Sequence, residues 1–360
     1  MQRRYFLRQA GLATAGLALG GSSRRAVAAD PHPWRTFEVV TRVEVRDPSG
    51  LTRVWVPTPL GVDTPYQRSL GDTFEVSGGT ARLLAGRTLD AVGMVAAEFP
   101  SGRRGVLTVT SRVSVRDHAV DVDSLGDAPP RDRALLGHFL RPTALLPIHG
   151  AVRAKARAII RSAYTDADRA RAIYDWVVEN TVHDPRVRGC GAGNVRRMVE
   201  ANELFGKCAD INALYVALAR AGGVPARDVY GLRVAPSRGY ESLGPSSSRV
   251  TRSQHCRAEV YVDSHGWVPV DPADVRKVAR EEPPGPRPLE DPLVQGARAR
   301  FFGSWEMNWI AYNFGHDVRL PGSRSGPLGF LMFPQAETDQ GLLDSLDPDL
   351  FRYEITARPA

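Results

Sequence analysis

Cys208 is the residue of this chain with the clearest potential for covalent chemistry. It follows Phe205-Gly206-Lys207 and stands at the predicted start of an amphipathic helix. Backbone N–H groups without partners at a helix N-terminus stabilise a thiolate, and the thiolate is the form of cysteine that attacks a carbonyl carbon. A free cysteine is also often no more than a small buried residue, so position alone leaves both interpretations open.

Two further residues could complete an acyl-transfer site with Cys208. His255 can accept the thiol proton and return it to a leaving amine, while Asp271 can hold the imidazole in the required tautomer. The reaction would form a thioester that water or an amine resolves, and the Cys208 backbone N–H is one candidate oxyanion donor. Considered singly, His255 could be an ordinary histidine, and Asp271 could begin a turn before Pro272.

The sequence around these three residues resembles the transglutaminase-like superfamily. Three motifs carry the resemblance: Gly-Lys-Cys-Ala-Asp-Ile-Asn at 206–212, His-Cys-Arg-Ala-Glu-Val-Tyr at 255–261 and Gly-Trp-Val-Pro-Val-Asp-Pro at 266–272. The likeness covers residues 170–274 and extends more loosely to 334. It implies an α+β, papain-like core in which the nucleophilic cysteine begins a helix and the histidine and aspartate follow on two strands. It thus implies a catalytic triad of Cys208, His255 and Asp271.

One position departs from the pattern of the superfamily. Many members have an aromatic residue, often tryptophan, two positions after the histidine, and this chain has Arg257 there. The departure affects any aromatic contribution to a substrate tunnel and leaves the triad unchanged.

Cys190 and Cys256 suggest a disulfide. The chain has three cysteines, and an oxidising compartment favours pairing two of them, which leaves one free. A bridge between Cys190 and Cys256 would brace the site and leave Cys208 reduced, although the sequence does not show that the two lie close together. The absence of a C-x-x-C pair argues against zinc, and the absence of a phosphate-binding or calcium loop indicates no cofactor.

Hydrophobic periodicity predicts the elements that would position the triad. We expect two helices and three strands around it: helices at 165–180 and from 207 or 208 to 222, and strands at 229–234, 258–262 and 267–270. Thr165 and Asp168 form a capping-box pair at the first helix. Residues 235–254 are rich in Ser, Gly and Arg, and their length is typical of a lid or binding loop.

The remaining sequence predicts several parts around this core. Residues 34–117 show short alternating runs separated by turn residues, which predicts an N-terminal antiparallel β domain. A connector with some helix is expected next, at 118–163. The transglutaminase-like catalytic domain would then span 164–335, and a C-terminal tail with a return strand would span 336–360.

Residues 1–28 are typical of a twin-arginine signal peptide. Arginines at positions 3 and 4 precede an apolar run over 11–21 and a small-residue cleavage site at 26–28. The run is too short to span a membrane, and no later run reaches ~18 apolar residues. We therefore expect export to the periplasm or the exterior of a bacterial cell.

The net charge of +7 does not indicate nucleic-acid binding. Five arginines lie in the first 28 residues, which contain no acidic residue, so the rest of the chain carries about +2. The predicted partner is a peptide or protein substrate, without nucleic acid or a membrane span. The sequence does not define an oligomeric state.

Three functions fit these residues. Hydrolysis of an amide bond, as in a peptidase or amidase, is favoured because the triad occurs together with an export signal. Transglutaminase-type cross-linking would use the same three residues with a lysine amine in place of water. A binding or scaffold module with a silent site is the third alternative, and a missing triad member would favour it.

Overall fold

The computed structural model describes residues 33–46, 50–128 and 132–360. The predicted signal peptide, residues 1–28, lies outside the described residues. Within the described part of the chain, no helix is both long enough and apolar enough to cross a membrane.

The N-terminal region consists of strands, as its alternating pattern predicts. Its strands are β1 (Arg35–Val45), β2 (Thr52–Pro57), β3 (Gln67–Ser77), β4 (Thr80–Leu84), β5 (Met94–Phe99), β6 (Gly105–Val115) and β7 (His118–Ala119). Buried and more exposed residues alternate along β1 and β6, so each strand turns one face to a core. The two strands pair antiparallel along their whole length.

A helical region follows. Its elements are α1 (Arg133–His138), α2 (Gly150–Ile159), α3 (Asp166–Asn180), β8 (Val182–His183), α4 (Val195–Glu200), β9 (Phe205–Gly206) and α5 (Cys208–Ala221). The predicted capping box of α3 is confirmed: the Asp168 N–H donates to Thr165 Oγ1 at 3.1 Å, and the Thr165 N–H donates to Asp168 Oδ2 at 3.0 Å. Residues 208–220 of α5 are all buried, so this helix lies at the centre of the hydrophobic core of this region.

Strands and two further helices complete the core. They are β10 (Ala226–Arg233), β11 (Gln254–Val262), β12 (Gly266–Val270), α6 (Pro272–Glu281), α7 (Pro292–Arg300), β13 (Ser304–Trp305) and β14 (Trp309–Asn313). A four-stranded antiparallel sheet has the order β12-β11-β10-β14, and α5 packs on it. The predicted α+β class is confirmed.

The C-terminal segment returns to the N-terminal sheets. It contains β15 (Gln335–Thr338), β16 (Gly341–Leu342) and β17 (Arg352–Pro359), in sheets of order β16-β15-β2-β5-β4 and β17-β1-β6-β3. The second sheet packs on the core sheet through a shared cluster that includes Phe37, Val113, Val229 and Trp309. The domain boundaries at 117, 163 and 335 stay predictions.

Three helices, α4, α6 and α7, were not predicted from the sequence, and the predicted loop is partly ordered. The sequence predicts for Asp271 a triad role or the start of a turn, and it does not predict the helix that begins at Pro272, although proline is favoured in the first turn of a helix. In the segment 235–254, residues Glu241–Leu243 form a 3-10 helix. The N–H groups of Glu241 and Ser242 donate to the Glu282 carboxylate at 2.8 and 2.9 Å, which fixes this turn against α6.

A buried ion pair lies between β10 and β11. Arg227 contacts the Glu259 carboxylate at 2.6 Å, and both side chains are at most 10% exposed. The Arg227 guanidinium also lies over Phe314, with its carbon 3.7 Å from the ring centroid, and over Trp267 at 4.0 Å. The pair therefore joins two neighbouring strands of the core sheet through largely buried contacts.

Removing one partner of the Arg227–Glu259 ion pair should destabilise the protein, because the other charge stays buried. We expect Arg227→Met to lower the free energy of unfolding by about 3–5 kcal/mol, because Glu259 is left buried without a counter-charge. The double variant Arg227→Met/Glu259→Leu should recover most of that loss. Urea unfolding followed by tryptophan fluorescence measures both, and equal losses in the single and double variants would contradict the proposed cause.

Candidate active site

Cys208 lies at the point where α5 begins. It is the first residue of the helix, its side chain is buried, and its backbone N–H has no intrahelical acceptor. The Lys207 carbonyl accepts the N–H groups of Asp210 and Ile211 at 3.1 and 3.0 Å, so the first turn is well formed around the sulfur. The helix dipole therefore favours a negative charge on Cys208.

His255 is the second residue of β11 and is also buried. Its Nε2–H donates to Asp271 Oδ2 at 2.8 Å, which leaves Nδ1 for the Cys208 sulfur. The His255 carbonyl accepts the Trp309 indole N–H at 2.9 Å, and this bond fixes the backbone from which the imidazole projects. The structure thus brings Cys208, His255 and Asp271 together.

Asp271 is both the partner of His255 and the N-cap of α6. While Oδ2 accepts the imidazole N–H, Oδ1 accepts the backbone N–H of Asp274 at 3.1 Å and the side-chain amide of Asn212 at 3.2 Å. Asp271 therefore begins the helix that starts at the following proline, and it also makes the contact with His255 that a triad role would require. Three hydrogen-bond donors define the position of this buried carboxylate.

Asp274 and Asn212 belong to the site and were missed from the sequence. Asp274 Oδ1 lies 3.4 Å from His255 Nε2 and 2.5 Å from the guanidinium of Arg233. Asn212 spans α5, β11 and α6, since its amide nitrogen also donates to the Cys256 carbonyl at 2.8 Å. The one available signal was spacing: Asn212 is four residues after Cys208, on the same helix face.

Arg257 stands behind the Asp271 carboxylate, at the position where many members of the superfamily have an aromatic residue. Its Nε lies 3.6 Å from Asp271 Oδ2, and its guanidinium carbon lies 4.8 Å from the Trp309 ring centroid and 5.4 Å from that of Trp305. Burial lowers the pKa of Arg257 to about 10, a value at which it remains a cation at neutral pH. Aromatic rings thus occur beside the site, but they come from the segment 305–309.

The groups around Cys208 lower the pKa of its thiol. Hydrogen bonds with the thiols of Cys190 and Cys256 lower the pKa of Cys208, as do a hydrogen bond with His255 and its positive charge. Together they outweigh burial, so the net pKa lies well below the ordinary value. The sulfur is therefore suited to carry a negative charge.

The pKa of the His255 imidazole shifts in the opposite direction to that of the Cys208 thiol. Burial is the largest effect on its pKa and favours the neutral ring, and Arg233 acts in the same sense. The carboxylates of Asp274 and Asp271 outweigh them and raise the pKa of His255 above its ordinary value. A raised imidazole pKa beside a lowered thiol pKa favours a thiolate–imidazolium pair.

All three cysteines are free thiols in the structure, and all three are buried. The structure has no bond between Cys190 and Cys256, so their disulfide stays a prediction; each of these thiols is a hydrogen-bond neighbour of Cys208. The Cys190 sulfur also lies 3.3 Å from the Gln254 carbonyl oxygen, and the Cys190 carbonyl accepts the Ala209 N–H at 2.9 Å. The loop that carries Cys190 is thus joined to the start of α5.

Asp210 holds this loop in place. Its Oδ1 accepts the N–H groups of Ala192 and Gly193 at 3.0 and 2.9 Å, and its Oδ2 accepts the Lys207 N–H at 3.0 Å. A side chain at Gly191 would clash with the same carboxylate, and its φ of +94° also favours glycine. Asp210 therefore joins this loop to the start of α5, in addition to placing a negative charge in the first turn of that helix.

A cavity of about 430 Å³ opens at Cys208 and His255. Its wall includes Lys207, Arg252 and Gln254. Gln254 is 8% exposed, and its side-chain nitrogen is buried without a hydrogen-bond partner among the described residues. The cleft thus contains a side-chain amide nitrogen with no hydrogen-bond partner among the described residues.

His255, Asp271 and Asp274 could in principle offer ligand atoms to a metal ion, since these atoms lie within 4.8 Å of one another. The same carboxylates already face the guanidinium groups of Arg233 and Arg257. A metal ion there would stand beside two fixed cations. The group is therefore better suited to a protonated imidazole than to a metal ion.

This arrangement defines a class of site: a cysteine at the start of a helix, opposite a histidine–aspartate pair on an antiparallel sheet. Residues 153–272 match the family model of the Transglutaminase-like superfamily. The chain belongs to the transglutaminase-like superfamily. A relative from Haemophilus influenzae, named only as an uncharacterized protein, is 31% identical over 344 residues and covers 91% of this chain and 92% of its own length.

Solved structures resemble the fold. A Cytophaga hutchinsonii protein that was named as a candidate cysteine protease matches with a TM-score of 0.51 and 16% identity, over 91% of this chain and 98% of the other. The periplasmic domain of TgpA from Pseudomonas aeruginosa matches over 68% of this chain and 88% of its own, with a TM-score of 0.34 and 17% identity. The second likeness is too low to bear on the fold.

The pKa directions predict how Cys208 reacts with pH. Because the thiolate is the reactive form, its alkylation by iodoacetamide should fall only when the pH drops through the lowered pKa, well below the usual value of about 8.5. Asp271→Asn removes a charge that raises the pKa of His255, so the midpoint for Cys208 should move to higher pH. Mass spectrometry of the Cys208 peptide measures the rate.

The urea-denatured protein is the control for this profile, and its midpoint should lie near 8.5. Coinciding midpoints in the native and denatured proteins would show that the fold does not activate Cys208.

Proposed function

We propose that this protein is a cysteine-dependent hydrolase of amide bonds, a peptidase or amidase, in which Cys208 is the nucleophile. The observation that carries the proposal is the buried Asp271–His255 hydrogen bond of 2.8 Å beside a thiol whose pKa is lowered. Membership of the transglutaminase-like superfamily supports the same chemistry.

Each residue has one task in the proposed reaction. The Cys208 thiolate attacks the amide carbonyl, and the electron pair of the C=O bond moves to oxygen. The His255 imidazolium then gives its proton to the leaving nitrogen as the C–N bond breaks, which yields a thioester and a neutral imidazole. Water, deprotonated by His255, hydrolyses the thioester, and Asp271 keeps the ring in line throughout.

Two donors support the oxyanion in this proposal. The first is the backbone N–H of Cys208, which has no acceptor inside α5. The second is the side-chain amide of Gln254, which lies in the wall of the same cavity and has an unpartnered nitrogen. A rotation of this amide costs no existing side-chain hydrogen bond and can turn N–H toward the cleft.

Hydrolysis is favoured over cross-linking by the walls of the cleft. A lysine side chain acting as acyl acceptor brings four methylene groups that need an apolar path. The cavity at Cys208 is instead lined mainly by polar and charged residues, which include His183, Arg233 and Lys277. Water is the acceptor that such a surface admits most readily.

We also propose that the protein acts after export. The support is the twin arginine at positions 3 and 4 with the small residues at 26–28, a signal in the sequence alone. An exported amide hydrolase would meet peptides and proteins of the cell envelope.

Acylation by p-nitrophenyl acetate tests the nucleophile. The wild-type protein should release about one nitrophenolate per molecule in a burst, Cys208→Ala should release none, and Cys190→Ser should keep the burst because serine can still donate to the thiolate. A fluorescent amine added with a glutamine peptide separates the alternatives, since incorporation of the label would favour cross-linking. A burst that persists in Cys208→Ala would contradict the proposal and favour a scaffold.

The donor role of Gln254 has a test that separates it from packing. Gln254→Ala should slow acylation by p-nitrophenyl acetate by roughly 10²-fold, because the attack creates an oxyanion. Alkylation by iodoacetamide creates no oxyanion, so its rate should stay within about twofold of wild type. Gln254→Glu should be at least as slow in acylation, and a parallel loss of both rates would instead indicate that Gln254 only positions the site.

A further inference from the structure

The cavity at Cys208 continues into a second one. The second cavity has a volume of about 420 Å³. Five residues line both: Gly189, Cys190, Lys207, Arg252 and Gln254. The two cavities therefore form one cleft, which runs from His255 past Cys208 toward the C-terminal segment.

Most charges along this cleft are neutralised by the chain. Three of its cations have a carboxylate partner: Arg233 with Asp274, Lys277 with Glu281, and Arg188 with Asp344. Lys207 and Arg252 have no ion pair with any residue that the structure describes, and both line the part of the cleft that the two cavities share. Two uncompensated positive charges thus face the cleft beside the nucleophile.

The two cations lie close in sequence to Cys208 and His255. Lys207 is the N-cap of α5 and immediately precedes Cys208, and Arg252 lies in the turn just before β11, which carries His255. The far end of the cleft is different in character, since it is lined by Phe333, Leu346, Phe351 and Tyr353. Along the cleft, the order is therefore nucleophile, positive charge and apolar surface.

We propose that Lys207 and Arg252 are specificity residues that select acyl donors with a carboxylate next to the scissile amide and an apolar group beyond it. The inference rests on the proposed function of Cys208, and it adds the substrate class: acidic peptides. A carboxylate between the two cations is attracted by both, whereas a neutral isostere gains nothing from either.

A pair of alkylating agents tests this attraction. Iodoacetate and iodoacetamide react with the same thiolate and differ in one negative charge, so the ratio of their rates at Cys208 cancels any change in the thiol pKa. We expect the ratio to fall about threefold in Lys207→Gln and in Arg252→Gln, and about tenfold in the double variant. The difference in this rate ratio between wild type and the double variant should shrink in about 0.5 M salt, because the screening length is then only a few ångströms.

Arg319→Gln is the matched control, because this exposed arginine lines neither cavity. Its ratio should equal that of wild type. A double variant with an unchanged ratio would overturn the proposed role of the two cations.

Binding to an inactive protein tests the same selection without any chemistry. Calorimetric titration of Cys208→Ala with acetyl-Leu-Glu-amide and acetyl-Leu-Gln-amide should show tighter binding of the glutamate peptide by about tenfold. Loss of this preference when Lys207→Gln and Arg252→Gln are added supports the proposal, and equal affinities of Cys208→Ala for the two peptides would overturn it. Failure of the proposed function shows separately, as an unreactive Cys208 in the native protein.

Discussion

The site depends on the hydrogen bonds that the Asp271 carboxylate accepts. One oxygen holds His255, and the other begins α6 and binds Asn212 of α5. A helix cap of this kind contributes about 1 kcal/mol, so the same bonds that orient the imidazole also stabilise the fold. The position of the imidazole is thereby fixed by secondary structure rather than by a mobile loop.

The charged side chains around Asp271 form a network of ion pairs. The Asp271 carboxylate faces His255 on one side and Arg257 on another, while Asp274 joins His255 to Arg233. A buried charge is costly unless it is paired, and here every member has an opposite partner. Burial raises the pKa of Asp274, but Arg233 and its neighbours outweigh it and lower that pKa to about 2. Asp274 therefore stays charged at neutral pH, whereas burial and the charge of Asp274 raise the pKa of Asp271.

Local patterns predicted the parts of the site that depend on neighbours in sequence. The start of α5 at Cys208, the capping box at Thr165 and the alternating strands follow from spacing and side-chain chemistry alone. The triad was predicted because its motifs resemble a known superfamily. Asn212, Asp274 and Arg233 were missed because their contacts join separate elements of the fold, which no local period encodes.

The pairing of β1 with β17 joins the two ends of the described chain, and Phe351 and Tyr353 at the latter end supply a wall of the cleft. Contacts between residues so far apart in sequence form slowly, because a long loop must close before they are gained. The binding surface would therefore be completed only after the last strand has docked. A chain in which β17 had not yet docked would have the cavity at Cys208, which residues 183–281 line, but it would lack the apolar wall at the far end of the cleft.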